Sequence, residues 1–191
     1  MSATALVITR PLWSDTLVLV DGTRIGFRPL DREDREGLSL LFERMSPQSR
    51  YRRYLSPKPE LSSRELTFLT DVDHVTHEAL AAVDQRDGSL VGTGRYVVYR
   101  ENPRVADMAL EVVDDLQGKG IGGALGRRVV TRARQNGIES LTATLLWENR
   151  PARALLGRLD FHARSSRGRE IEMGRALTPV GSLSPAPARR Y

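Results

Sequence analysis

The chain has 191 residues, 40% of them hydrophobic and 28% charged, which suits one folded domain and excludes a disordered or fibrous chain. It has no cysteine, which rules out disulfide scaffolds, thiolate nucleophiles, Fe–S clusters and cysteine-based zinc sites, and no apolar stretch approaches the roughly 18 residues of a membrane span. The 29 basic and 24 acidic side chains leave a net charge of +5, and every cation except Lys58 and Lys119 is an arginine, so phosphate, carboxylate or nucleic acid are the partners to consider.

In chain order, Thr16 to Val20 is strand-like and runs into Asp21-Gly22, a hairpin signal, with a partner strand from Thr23 to Pro29. Asp31 is an N-cap candidate, with Asp34 as its reciprocal carboxylate, for a helix from Arg32 to Met45. Ser46 to Pro59, with three prolines, is too broken for a long helix; Ser62 or Ser63 then caps a short one, Arg64 to Thr70. Three strands follow as an antiparallel meander, Glu78–Asp84, Leu90–Tyr99 and Val105–Val113, with Glu101–Pro103 as a turn. Gly120 to Gln135 reads as a helix stopped by Asn136-Gly137, Glu139–Trp147 as a strand, Pro151–Leu159 as a short helix, and Phe161–Ala176 as one or two strands. The domain reading is an arm over residues 1–22, a domain over 23–176 and a flexible tail over 177–191. Without a basic n-region before an unbroken apolar core, no signal peptide is read, and a cytoplasmic protein with no membrane partner is expected.

The informative stretch is Gln117-Gly118-Lys119-Gly120-Ile121-Gly122-Gly123, between the third meander strand and a helix. Glycines there let backbone N–H groups approach a ligand, and a helix N-terminus favours an anion, so the segment predicts a phosphate cradle. A Walker loop is excluded, because Gly118-Lys119 lacks the upstream glycine and the following Ser or Thr. The dinucleotide pattern matches at Gly118, Gly120 and Gly123, but Glu139 starts its strand instead of ending one, and about 70 residues remain, too few for a doubly wound domain.

These residues resemble the GNAT superfamily of N-acetyltransferases. Gln117 to Gly122 is similar to its signature Gln/Arg-x-x-Gly-x-Gly/Ala, and Asn149 to Phe161 is similar to its second signature, Asn-x-x-Ala-x-x-Leu-Tyr-x-x-x-Gly-Phe. The resemblance spans about Thr23 to Ala176 and implies an α/β (α+β) fold: a mixed, mostly antiparallel central sheet flanked by helices, with splayed strands forming an acyl-CoA cleft. It implies acetyl-CoA as co-substrate and no metal, with the pyrophosphate held by N–H groups of Gln117, Gly118, Lys119, Gly120, Ile121, Gly122 and Gly123. It also implies that the pantetheine arm lies along Glu111, Val112 and Val113, with Asn149 opposite. The region from Met45 to His74 looks like that of bacterial protein-lysine acetyltransferases, where Leu-Ser-Pro-x-Ser-x-Tyr recurs. A separate regulatory domain, as larger relatives carry, has no room in this length.

Acetyl transfer to an amine needs a group that accepts a proton. In the resembled family that carboxylate lies on the fourth strand, where Asp107 is the first choice and Glu111 the second; their spacing of four puts them on one face of a strand. The blander reading is a turn-ending Asp107 and a solvated Glu111. Leu156 replaces a tyrosine that many members use as general acid, and Asp160 stands where glycine is usual. The implied function is N-acetyl transfer to a protein lysine or N-terminus, with two rivals: small-molecule amine acetylation, and a degenerate domain that binds acyl-CoA as a sensor or assembly partner. The sequence names neither the acceptor nor the oligomeric state, a homodimer included. Arg50, Arg52 and Arg53 could attract an acidic substrate or simply form a solvated basic face. Asp71, Asp73, His74 and His77 read as a capped loop sooner than a metal site. Trp13 and Trp147 are too few for a base-stacking platform, so no nucleic acid is expected.

Overall fold

The computed structural model describes residues 16–178. Most of the arm and of the tail read from the sequence therefore lie outside the described residues. Eight strands form one sheet in the order β1-β2-β3-β4-β5-β6-β8-β7: β1 (Leu17–Val18), β2 (Arg24–Pro29), β3 (His77–Asp84), β4 (Leu90–Tyr99), β5 (Asn102–Val112), β6 (Ser140–Leu146), β7 (His162–Arg167) and β8 (Glu170–Ala176). All neighbours are antiparallel except β5 and β6. The mostly antiparallel sheet and the meander β3–β5 match the expectation, and the Asp21-Gly22 hairpin forms with Gly22 at φ +81°.

Five helices cover the two faces: α1 (Arg35–Glu43), α2 (Pro47–Tyr54), α3 (Ser63–Thr70), α4 (Ile121–Gln135) and α5 (Arg150–Arg158). Helix α4 packs on β3, β4 and β5, and α5 packs on α4. That contact is close: a Cβ at Gly126 would stand 2.4 Å from Leu159 Cδ1. On the other face α1 packs on β4, and α2 touches both β5 and β6. With both faces covered, all eight residues of β3 are buried.

Helix α2 is where the sequence reading needed amendment. Its proline, Pro47, falls at the first helical position, where a missing N–H costs nothing, and Ser46 caps it by accepting from Ser49 N at 3.2 Å. Leu55, in a left-handed conformation, ends it after eight residues. The Glu101–Pro103 turn also differs, because Asn102 and Pro103 are already in β5. Leu177, assigned to the tail, donates its N–H to Glu139 O and is buried, so sheet packing reaches one residue further than expected.

The capping box at Asp31 and Asp34 forms as read, on a 3-10 turn (Arg32–Asp34) that leads into α1. The structure adds a partner: Arg28 of β2 donates to both Asp34 oxygens, at 2.7 and 2.5 Å, with both side chains buried. Asp34→Ala leaves that guanidinium buried without its carboxylate and is expected to cost about 3–5 kcal/mol, read as a lowered urea midpoint.

Candidate active site

Strands β5 and β6 pair over only three positions, Val105 with Ser140, Ala106 with Leu141 and Asp107 with Thr142. Beyond Asp107 both strands continue but no longer pair. The gap is a cleft of about 640 Å³. One wall is β5 from Asp107 to Val112, the other is β6 with α5, and α2 lies across the opening.

The Gln117–Gly123 segment closes one end of the cleft. Gly118 and Gly120 adopt φ of +76° and +92°, so glycine is needed there for backbone conformation and not for room, since a Cβ would meet nothing within 4 Å. No side chain caps the first turn of α4, whereas α2, α3 and α5 each have such a cap. Among the described residues the N–H groups of the first turn therefore lack a side-chain acceptor at the cleft end. That is the chemistry of an anion site, and Gly118, Gly120, Gly122 and Gly123 line it.

Not every residue expected near the coenzyme lines the cleft. Val113 and Ile121 are fully buried in the core, and Lys119 pairs with Asp21 at 3.6 Å. Gln117 uses its side-chain amide to tie the loop together, donating to Val112 O at 3.0 Å, Asp114 Oδ1 at 3.2 Å and Ser49 Oγ at 3.3 Å. Asn149 lines the cleft, and its Oδ1 caps α5 by accepting from Ala152 N at 3.3 Å. Leu156 lines the cleft as well.

Strand alternation puts Asp107, Ala109 and Glu111 on the face covered by α2. Their fates differ. Asp107 sits at the fork, opposite Thr142, whose hydroxyl is 2.9 Å from that of Tyr99. Burial raises its carboxyl to about 6, against the pull of Arg53 and the Thr142 hydroxyl. Glu111 is sealed: its side chain is 1% exposed, Oε1 accepts from Thr93 Oγ1 at 2.7 Å, and Oε2 lies 3.2 Å from Arg53 Nε.

Sequence reasoning missed the group behind Glu111. Arg95 of β4 is wholly buried; its Nη1 donates to Leu69 O at 2.9 Å, and burial lowers it to about 10. His77, beside it, is brought down to about 4 by burial and by Arg95, so it is neutral at pH 7. The Tyr54 phenol is raised above its ordinary value by burial and by the Glu111 charge. A cross-strand signal existed, since Thr93 and Arg95 alternate as Glu111 does, but pairing register is not written in a single strand. Elsewhere, Asp71 pairs with Arg32, Asp73 accepts the N–H groups of Val75, Thr76 and His77, and His74 contacts Glu78.

Compared with known proteins, residues 42–161 match the acetyltransferase (GNAT) family. The chain belongs to that family. It is 34% identical to Acetyltransferase PA5475 of Pseudomonas aeruginosa over 145 residues, 75% of this chain and 77% of that protein. It is 29% identical to Acetyltransferase Pat of Mycolicibacterium smegmatis over 60% of this chain and 34% of that one, and so spans about a third of that relative's length. The crystal structure of the GNAT domain of S. lividans PAT superposes with a TM-score of 0.80 at 27% identity, covering 85% of this chain and 96% of that one. The fold is therefore the GNAT fold and the protein an acetyltransferase. No helix among the described residues is long and apolar enough to cross a membrane.

The raised Asp107 has a consequence for stability. The native state keeps its proton to higher pH than the unfolded chain, so unfolding releases a proton between about pH 4 and 6 and this group's contribution to stability falls as pH rises through that window. Asp107→Asn is expected to gain on the parent across the same interval and to stay ahead above it, read from urea midpoints at a series of pH values.

Proposed function

We propose that the protein transfers acetyl from acetyl-CoA to an amine, with a protein lysine or N-terminus as acceptor. One observation carries the reading: a single cleft holds a glycine loop before an uncapped helix at one end and, at the fork, a half-buried carboxylate whose basicity burial raises. Acetyl-CoA supplies the acetyl group as a thioester. The N–H groups from Gly120 to Gly123 would hold its pyrophosphate, and the edge of β5 left open beyond Asp107 would face its amide arm.

An incoming ammonium must lose a proton before its nitrogen can attack the thioester carbon. Asp107 takes that proton, directly or through a water, because its raised basicity suits a base working near neutrality. The new N–C bond forms as the C–S bond breaks, and the thiolate takes a proton from solvent, since Leu156 offers none. Glu111, which accepts from Thr93 and pairs with Arg53, holds Arg53 in place. A protein acceptor is supported by the run Met45 to Tyr51, similar to that of bacterial protein-lysine acetyltransferases, which forms the start of α2 over the cleft mouth.

Calorimetry should show acetyl-CoA binding that Gly120→Glu abolishes, because a carboxylate at a left-handed position both strains the loop and repels phosphate. Release of free CoA with lysine peptides should climb as pH rises through about 6. Asp107→Asn should lose that limb and about 10²–10⁴-fold in rate; an intact limb in the variant would remove Asp107 from this role.

A further inference from the structure

The three arginines of the basic run on α2 meet different ends. Arg50 is structural: its guanidinium donates to the carbonyls of Phe42, Glu43, Met45 and Pro59 and lies over the Phe42 ring. Arg53 faces Glu111. Arg52 lines the cleft, and among the described residues its guanidinium has no partner, with its Nε out of reach of solvent. A buried N–H of a cation without an acceptor is costly, so such a group calls for a ligand.

Position says which ligand. Helix α2 runs from Ser49, beside Gln117 of the glycine loop, to Arg53, beside Glu111 and within the field of Asp107. Arg52 stands about one turn beyond Ser49, away from the phosphate cradle and toward the fork, at the end where an acceptor must enter. Glu111 forms its ion pair with Arg53 and accepts from Thr93, and among the described residues no ion pair joins it to Arg52. The acceptor end thus offers a carboxylate for an ammonium and a separate guanidinium for an anion.

We infer that Arg52 is a specificity-determining residue that binds a carboxylate carried beside the acceptor amine, so that the enzyme selects amines with an adjacent acid. This rests on the acetyltransferase reading above. The carboxylate has two sources, an acidic residue next to a lysine in a protein or the α-carboxylate of a free amino acid. A guanidinium suits either, since its planar fork matches both carboxylate oxygens.

The test uses the full chain with acetyl-CoA and two matched pairs: peptides with lysine between glutamates or between glutamines, and L-lysine against L-lysine amide. In at least one pair the carboxylate-bearing acceptor should have kcat/KM tenfold or more above its twin without the carboxylate, mainly through KM. The preferred pair identifies the source. Arg52→Gln should bring that ratio to about one, while Arg52→Lys retains part of it. A ratio near one in both pairs, or a ratio that survives Arg52→Gln, would overturn the inference. So would a tenfold loss of acetyl-CoA affinity in Arg52→Gln, which would assign the side chain to the coenzyme's phosphates. If no acceptor is turned over, the acetyltransfer reading fails, and the inference is judged by calorimetry on the CoA-saturated protein. Acetyl-lysine peptides flanked by glutamate should still bind tenfold tighter than those flanked by glutamine, and equal binding refutes it.

Discussion

Everything in this molecule that bears on chemistry depends on the parting of β5 and β6. Two parallel strands pair for three residues and then diverge, leaving backbone edges that no neighbouring strand satisfies. An unpaired edge inside a sheet is costly unless something else occupies it. Here the gap becomes a cleft, α2 covers its mouth, and the end of β5 leads into the glycine loop and α4. The fork also places Asp107 at the last paired position, sheltered enough for burial to raise its basicity yet still facing the cleft.

The charges around the fork divide the work between two carboxylates on one strand face. Glu111 accepts from Thr93 and forms an ion pair that ties it to Arg53. Asp107 has fewer such partners and is governed by desolvation. Two carboxylates on one strand face thus meet different surroundings, one tied to Thr93 and Arg53 and one at the open fork. The same sorting separates the three arginines of α2, one bound to carbonyls, one to a carboxylate and one left facing the cleft.

Most elements were legible because each carried a local signal. The hairpin showed in Asp21-Gly22, the first helix in the Asp31–Asp34 capping box, and the cradle in glycines that the structure puts at positive φ. Helix α2 was obscured by Pro47 at its start and Pro57 and Pro59 beyond its end, since a proline is tolerated at a first helical position and breaks a helix only inside it. Asn102-Pro103 misled in the same way, as turn-favouring residues drawn into the start of a strand by pairing.

By itself, the sequence determined the fold family, the glycine loop before α4 and the strand that carries Asp107 and Glu111, because each depends on spacing within a short segment. Only the tertiary structure decided which carboxylate is the more exposed, that Arg95 and Thr93 stand behind Glu111, and that Arg52 finds no partner among the described residues. These facts arise from register between β4 and β5 and from the docking of α2 on β5 and β6. They join residues far apart in the chain, and no local pattern encodes the desolvation or the pairing that results.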